Sequence, residues 1–177
     1  MHRLFVALRP PRTMREPLLS AMGGIAGARW QDDGQLHLTL RFIGDVDRHA
    51  AEDVAAALGT VSHPSFDLRL DGIGCFDRRG QIDTIWAGVA PHHPVRALHA
   101  SVTRALTRAG IAPEERAFIP HITIARFSRG TFPSGMLPLH QLWPTPVEAR
   151  FDHFLLYESE LGADGATYSA IARYPLG

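Results

Sequence analysis

Two short stretches of this 177-residue chain repeat one pattern. Leu36-His37-Leu38-Thr39-Leu40-Arg41-Phe42 and Pro120-His121-Ile122-Thr123-Ile124-Ala125-Arg126-Phe127 each set a histidine and a threonine two positions apart among apolar residues. In an extended chain residues i and i+2 share a face, so each stretch offers an imidazole beside a hydroxyl while its aliphatic neighbours face a core. Histidine can hold or release a proton near neutrality, because its ordinary pKa is about 6.5. Two imidazoles in opposite protonation states can take a proton from an attacking oxygen and give one to a leaving oxygen. Threonine hydroxyls can donate to non-bridging oxygens, where charge builds in the transition state. The repeated pattern points to cleavage of a phosphodiester in a pocket made by both strands.

The arginines after the two motifs differ. Arg41 lies four residues beyond His37, a spacing that faces the pocket in a regular strand, whereas Arg126 lies five beyond His121 and faces away. A bulge at Ala125, or relaxation at the strand end, would return Arg126 to the site. Both are candidates for a charge-assisted grip on phosphate. Phe42, Phe118, Phe127 and Trp30 stand near the motifs. Stacking on a terminal base, worth roughly 1–3 kcal/mol, is their functional role and core packing the competing one. Arg78, Arg79, Arg126 and Arg129 could form a basic rim, although a solvated turn accounts equally for Arg78 and Arg79. Each motif supplies one imidazole and no adjacent carboxylate or cysteine, so no metal site is expected there. His92, His93 and His99 are a possible third ligand group but sit at a predicted helix start, and surface histidines are the simpler reading. The bland account of both motifs is a pair of ordinary strands whose histidines face solvent or a satisfied core group.

The elements that must carry these residues are short. Leu4 to Leu8 reads as a buried strand stopped by Pro10-Pro11, with a helix from Pro11 to Met22 and Gly23-Gly24 closing it. Ala28 to Trp30 suggests an edge strand, and Gln31 to Gly34 a turn. The first motif fills a strand from Leu36 to Ile43, followed by a helix capped by Asp47 or Asp45 that runs to Leu58. Phe66 to Leu70 alternates apolar with polar residues, Gly72 and Gly74 mark a bend before Cys75-Phe76, and Ile82 to Val89 completes a hairpin. Pro94 to Ala109 has helical spacing. The second motif is predicted as a strand from Ala117 to Phe127. Ser128 to Pro146 reads as a loop with a short helical turn near 137–142, and Phe151–Tyr157 and Tyr168–Tyr174 as closing strands. Short strands and hairpins predict an α+β fold built on antiparallel sheets, and the matched motifs predict two similar halves in a single compact unit spanning 1–177.

Composition narrows the classes. Eighteen basic and eighteen acidic residues balance, so any polyanion must be recognised locally. Cys75 stands alone, which excludes an internal disulfide and a cysteine-based zinc site. The N-terminal apolar run is too short for a secretory h-region or a membrane span, so a cytoplasmic protein is expected.

The paired His-x-Thr motifs, the Arg3-Leu4-Phe5-Val6-Ala7-Leu8 strand, Trp30 ahead of the first motif, Phe118-Ile119-Pro120-His121 and the late Leu156-Tyr157-Glu158-Ser159 resemble the two-histidine phosphoesterase superfamily, and within it the LigT-like RNA 2',3'-cyclic phosphodiesterases. That resemblance implies a bilobal fold with two mainly antiparallel sheets related by a pseudo-twofold axis, helices outside, and a cleft between the lobes. It implies metal-free hydrolysis, without cofactor, of an RNA-terminal 2',3'-cyclic phosphate to a 2'-phosphate. His37 would then be the proton donor to the leaving 3'-oxygen and His121 the acceptor that activates water. Thr39, Thr123 and Arg126 would hold the phosphate. The residues alone leave the acid and base assignment open.

Other functions fit the same residues. A phosphodiesterase or reversible ligase for small cyclic or 2'-5' linked nucleotides would use the same chemistry, and a catalytically silent module could bind an RNA end in the same cleft. The chain contains no lysine, which excludes ligation through an adenylylated lysine. The expected partner is an RNA or oligonucleotide end carrying the cyclic phosphate, with no membrane and a monomeric protein.

Overall fold

The computed structural model describes residues 1–128, 146–163 and 165–177. Its elements run β1 (His2–Leu8), α1 (Arg12–Ala21), β2 (Ala28–Trp30), a 3-10 turn (Asp33–Gln35), β3 (Leu38–Val46), α2 (Arg48–Leu58), β4 (Phe66–Arg78), β5 (Gln81–Ala90), α3 (His92–Arg108), β6 (His121–Phe127), β7 (Glu148–Phe151), β8 (His153–Gly162) and β9 (Gly165–Pro175). The expected helical turn near 137–142 and Arg129 lie outside the described residues. Among the described residues, no helix is long and apolar enough to cross a membrane.

The fold is α+β, with antiparallel strand pairing throughout. Strand order is β7-β4-β5-β6-β3-β1-β8-β9, and β2 pairs beside β6. The two expected sheets are the halves of one curled sheet, β9-β8-β1-β3 and β6-β5-β4-β7. They are continuous where Leu38 pairs with Ile122. Any antiparallel pair has a local twofold axis through its centre. The strand order sets β3 and β6 side by side with β1 and β5 flanking them; α1 lies on the connection from β1 to β3 and α3 on that from β5 to β6.

Alternation assigns the two faces of this sheet. Leu4, Val6, Leu8, Leu38, Leu40, Ile85, Ala87, Ile122 and Ile124 are buried with Met14 and Leu18 of α1, Val54 and Leu58 of α2, and Leu98, Val102 and Leu106 of α3 in one apolar cluster. The helices therefore cover one face and leave the other for chemistry. Asp47 caps α2 by accepting from the Ala50 N–H at 2.8 Å.

Element ends depart from expectation where proline intervenes. Residues 117–120 precede β6 instead of beginning it, because Pro120 has no N–H to give a sheet ladder. Beyond Gly72 and Gly74, β4 continues to Arg78 through a register shift between Leu70 and Ile73, so the bend lies within one strand.

Candidate active site

The Leu38–Ile122 pair sets the geometry of the motifs. Both side chains are fully buried on the helix-covered face. Their neighbours His37, Thr39, His121 and Thr123 therefore project to the other face, and all four are half-buried. Carrying the register one step each way sets His37 opposite Thr123 and Thr39 opposite His121. The twofold exchanges the histidines, which are diagonal neighbours; such neighbours have Cα atoms about 7–8 Å apart. That spacing leaves room for one phosphate between two imidazoles.

Each imidazole is held in the same way. His37 Nδ1 lies 2.7 Å from the Gln35 carbonyl, and His121 Nδ1 lies 2.6 Å from the Ile119 carbonyl. A carbonyl only accepts, so Nδ1 carries the hydrogen in both, and both Nε2 atoms are left to exchange a proton with substrate. Behind Gln35, the 3-10 turn is fixed by a reciprocal cap. Asp32 Oδ1 accepts from the Gln35 N–H at 2.9 Å and Gln35 Oε1 from the Asp32 N–H at 3.1 Å. Gln35 Nε2 also donates to the Ala166 carbonyl of β9 at 3.1 Å. The Asp32-x-x-Gln35 spacing is a capping-box signature visible in the sequence, and it supports His37 indirectly.

Aromatic rings seat the two histidines. The ring of Phe5 lies 5.0 Å from His37 and that of Tyr168 lies edge-on at 5.1 Å. Tyr157 stacks on Phe5 at 5.1 Å. On the other side Phe76 meets His121 edge-on at 4.9 Å, and Trp86 lies 5.7 Å away. Trp86 lies across Gly74, its partner in the β4–β5 register, where a Cβ would stand 2.2 Å from the indole. Phe5, Phe76, Trp86, Tyr157 and Tyr168 were not identifiable as site residues from the motifs, because the sheet brings them in from strands distant in sequence.

Burial lowers both imidazole pKa values. It pushes His37 down to about 4, opposed by its bond to Gln35 and reinforced by the fields of Arg126, His121 and Arg9. His121 is also lowered, chiefly by burial with Arg126 adding to it. Both histidines therefore lie within the field of Arg126.

The two arginines exchange their expected places. Opposite β3, Val6 pairs with Arg41 and Ala7 with Thr39, so Leu40 is an extra residue. Opposite β6, Ile85 pairs with Ala125 and Trp86 with Thr123, so Ile124 is an extra residue. Each bulge lies three residues beyond its histidine. It turns the fourth residue inward and the fifth outward. Arg41 is consequently 2% exposed, donates to the Ala112 carbonyl and lies 3.5 Å from Glu114, so the expectation that it faces the pocket is overturned. Arg126 comes back to the histidine face, and Phe42, at the matching position, is 57% exposed there with its ring 6.0 Å from Phe5.

The other stacking candidates are occupied. Trp30 pairs with the inward-facing Ala125 and packs on the core. Phe118 stacks face to face on His99 with ring centres 4.0 Å apart. Neither is placed to receive a base, and Phe127 is buried. Arg78 lies 3.8 Å from Asp83 in an exposed pair. Among the described residues, no group of three or more His, Cys, Asp or Glu side chains is placed to hold a metal.

Known proteins resemble this chain in sequence and fold. The RNA 2',3'-cyclic phosphodiesterase of Thermotoga maritima is 31% identical over 148 residues, 82% of this chain and 78% of that protein. The RNA 2',3'-cyclic phosphodiesterase of Escherichia coli K12 is 30% identical, over 98% of this chain and 96% of that one. The crystal structure of E. coli LigT complexed with 3'-AMP superposes with a TM-score of 0.81 at 26% identity, covering 99% of this chain and 98% of LigT. A model of the 2'-5' RNA ligase superfamily matches residues 25–163, a span that holds both histidine motifs, and the chain belongs to that superfamily.

Proposed function

We propose that this protein hydrolyses RNA-terminal 2',3'-cyclic phosphate to a 2'-phosphate by two-histidine acid and base catalysis. The observation that carries the reading is the local twofold through Leu38 and Ile122. It sets His37 and His121 on one face with Nδ1 of each tied to a carbonyl. The likeness to the Thermotoga and E. coli cyclic phosphodiesterases supports the same substrate class.

In this mechanism His121 Nε2 takes a proton from water as its oxygen attacks phosphorus. The bond from phosphorus to the 3'-oxygen breaks, and that oxygen takes a proton from His37 Nε2. Thr39 and Thr123 hydroxyls donate to the non-bridging oxygens, and Arg126 balances their charge. His37 is the more deeply depressed imidazole when alone, yet it gains most from a bound anion. The low dielectric that disfavours its isolated cation strengthens pairing with phosphate. Catalysis requires no metal in this reading. The two halves act as one unit, with the site on the sheet face that both contribute.

Product analysis of an oligonucleotide ending in a 2',3'-cyclic phosphate tests the reading. The expected product keeps its phosphate on the 2'-oxygen, turnover survives chelator, and His37→Ala and His121→Ala each lose roughly 10²–10⁴-fold in kcat. A 3'-phosphate product would overturn the assignment of the leaving oxygen. Activity abolished by chelator and restored by zinc would overturn the metal-free mechanism.

A further inference from the structure

β6 has two partners along one edge. β3 meets it near its N-terminal end at Ile122, and β2 runs beside its C-terminal half, with Ala28, Arg29 and Trp30 opposite Phe127, Arg126 and Ala125. Phe127 and Ala125 are buried on the helix-covered face. Arg29, directly opposite Arg126, therefore projects from the same face as His121 and Thr123. Directly opposed residues on neighbouring strands have Cβ atoms about 4.5–5.5 Å apart, and like charges in that position repel. Both arginines are exposed, and among the described residues neither has a carboxylate or carbonyl partner. The contrast with a hollow of about 350 Å³ near Arg9, Arg15, Arg150 and Arg173 is direct. There Asp33, Asp67 and Asp152 already pair with the arginines.

We propose that Arg29 forms a second phosphate subsite, next to Arg126, that holds the internucleotide phosphodiester upstream of the terminal cyclic phosphate. The inference rests on the function proposed above and names what that site selects, an oligonucleotide end over a mononucleotide. Position along β6 separates the two subsites. Ile122 and Arg126 pair with Ala87 and Thr84 of β5, three steps apart and roughly 10 Å at about 3.3 Å per residue, so Arg29 stands beyond the catalytic pair. A cyclic phosphate is the last group on its strand, so any second phosphate reaching Arg29 belongs to the 5' side of the terminal nucleotide. With Arg126 on the terminal phosphate, an anion at Arg29 relieves the repulsion between the two guanidiniums and accepts charge-assisted hydrogen bonds from Arg29.

The test compares wild type, Arg29→Gln and Arg29→Lys on a nucleoside 2',3'-cyclic monophosphate and on a trinucleotide ending in the same group. Arg29→Gln should lose about tenfold in kcat/KM on the trinucleotide, mostly through KM, and stay within twofold of wild type on the mononucleotide. On the trinucleotide, the slope of log kcat/KM against log salt should shrink by roughly 0.7 in the glutamine variant, and lysine should restore part of the loss. Equal losses on both substrates, or none on the trinucleotide, would overturn the subsite. Full mononucleotide activity in Arg29→Gln also certifies its fold. If wild type turns over neither substrate, the proposed function fails, and the subsite with it.

Discussion

At the scale of single residues, the pH behaviour follows from two imidazoles that burial makes reluctant to carry charge. A histidine pKa lowered by burial favours the neutral form, so the protonated partner that catalysis needs becomes scarce as pH rises. The profile of kcat/KM reports the free enzyme, and its maximum should therefore lie below pH 6.5. The kcat profile reports the complex, in which bound phosphate restores a proton, so its maximum should lie at higher pH. Rate profiles from pH 4 to 9 check both, and a kcat/KM optimum above pH 7 would contradict the burial argument. The arginines separate in the same assay. Arg126→Met should cost roughly 30- to 100-fold in kcat/KM, the value of a charge-assisted phosphate contact. Arg41 is buried, with Nε and Nη1 lacking hydrogen-bond partners. It nonetheless donates to the Ala112 carbonyl and lies 3.5 Å from Glu114, and removing it leaves both without that partner. Arg41→Met should keep activity within threefold while lowering Tm, as expected of a structural partner for Ala112 and Glu114, and a large loss of activity would return Arg41 to the site.

At the scale of elements, the bulges explain which parts of the site were legible in the sequence. Alternation about His37 and His121 sufficed to place the histidines and threonines on one face, because that inference needs only a strand's own period. The side of the sheet taken by Arg41 depends on Leu40 being unmatched against Val6 and Ala7 of β1. Such a register is set by a partner strand and leaves no mark in the motif itself. For β6 a bulge at Ala125 was one of two ways to bring Arg126 back, and it occurs one residue earlier, at Ile124. Phe118 and Trp30 were ambiguous for the same reason, since nearness in sequence says nothing of the face a ring covers. Gly74 carries the clearest prediction at this scale. A methyl group there would meet Trp86 at 2.2 Å, so the indole must leave its place beside His121. Gly74→Ala should cost about 1–3 kcal/mol in stability, and kcat should fall as His121 loses the ring beside it. Thermal denaturation and steady-state rates check this. Adding Trp86→Leu should recover stability without recovering activity, and an unshifted Tm for Gly74→Ala alone would contradict the contact.

At the scale of the whole molecule, the two halves share more than the Leu38–Ile122 pair. One apolar cluster runs from Leu4 and Val6 through Leu38 and Ile122 to Ile85 and Leu68, with α1, α2 and α3 packed into it. Neither half can expose its share without uncovering the other's, so unfolding should be one cooperative transition. The site is built on that same sheet and links stability to pH. His37 has a folded pKa of about 4 against an ordinary value of 6.5, so the unfolded chain binds its proton more readily. Stability from keeping His37 neutral is therefore fully present above pH 6.5 and is lost as pH falls toward 4. The loss from this residue is on the order of 2–3 kcal/mol, with His121 adding in the same direction. Denaturant unfolding at stepped pH, followed by tryptophan fluorescence and by circular dichroism, checks both statements. The two probes should give coincident midpoints at each pH, and the midpoints should fall between pH 6.5 and 4. In His37→Gln, which has no proton to gain, the fall should be shallower. Midpoints that separate between probes would show the halves unfolding independently, and a His37→Gln variant with an undiminished acid slope would place the titrating groups elsewhere in the fold.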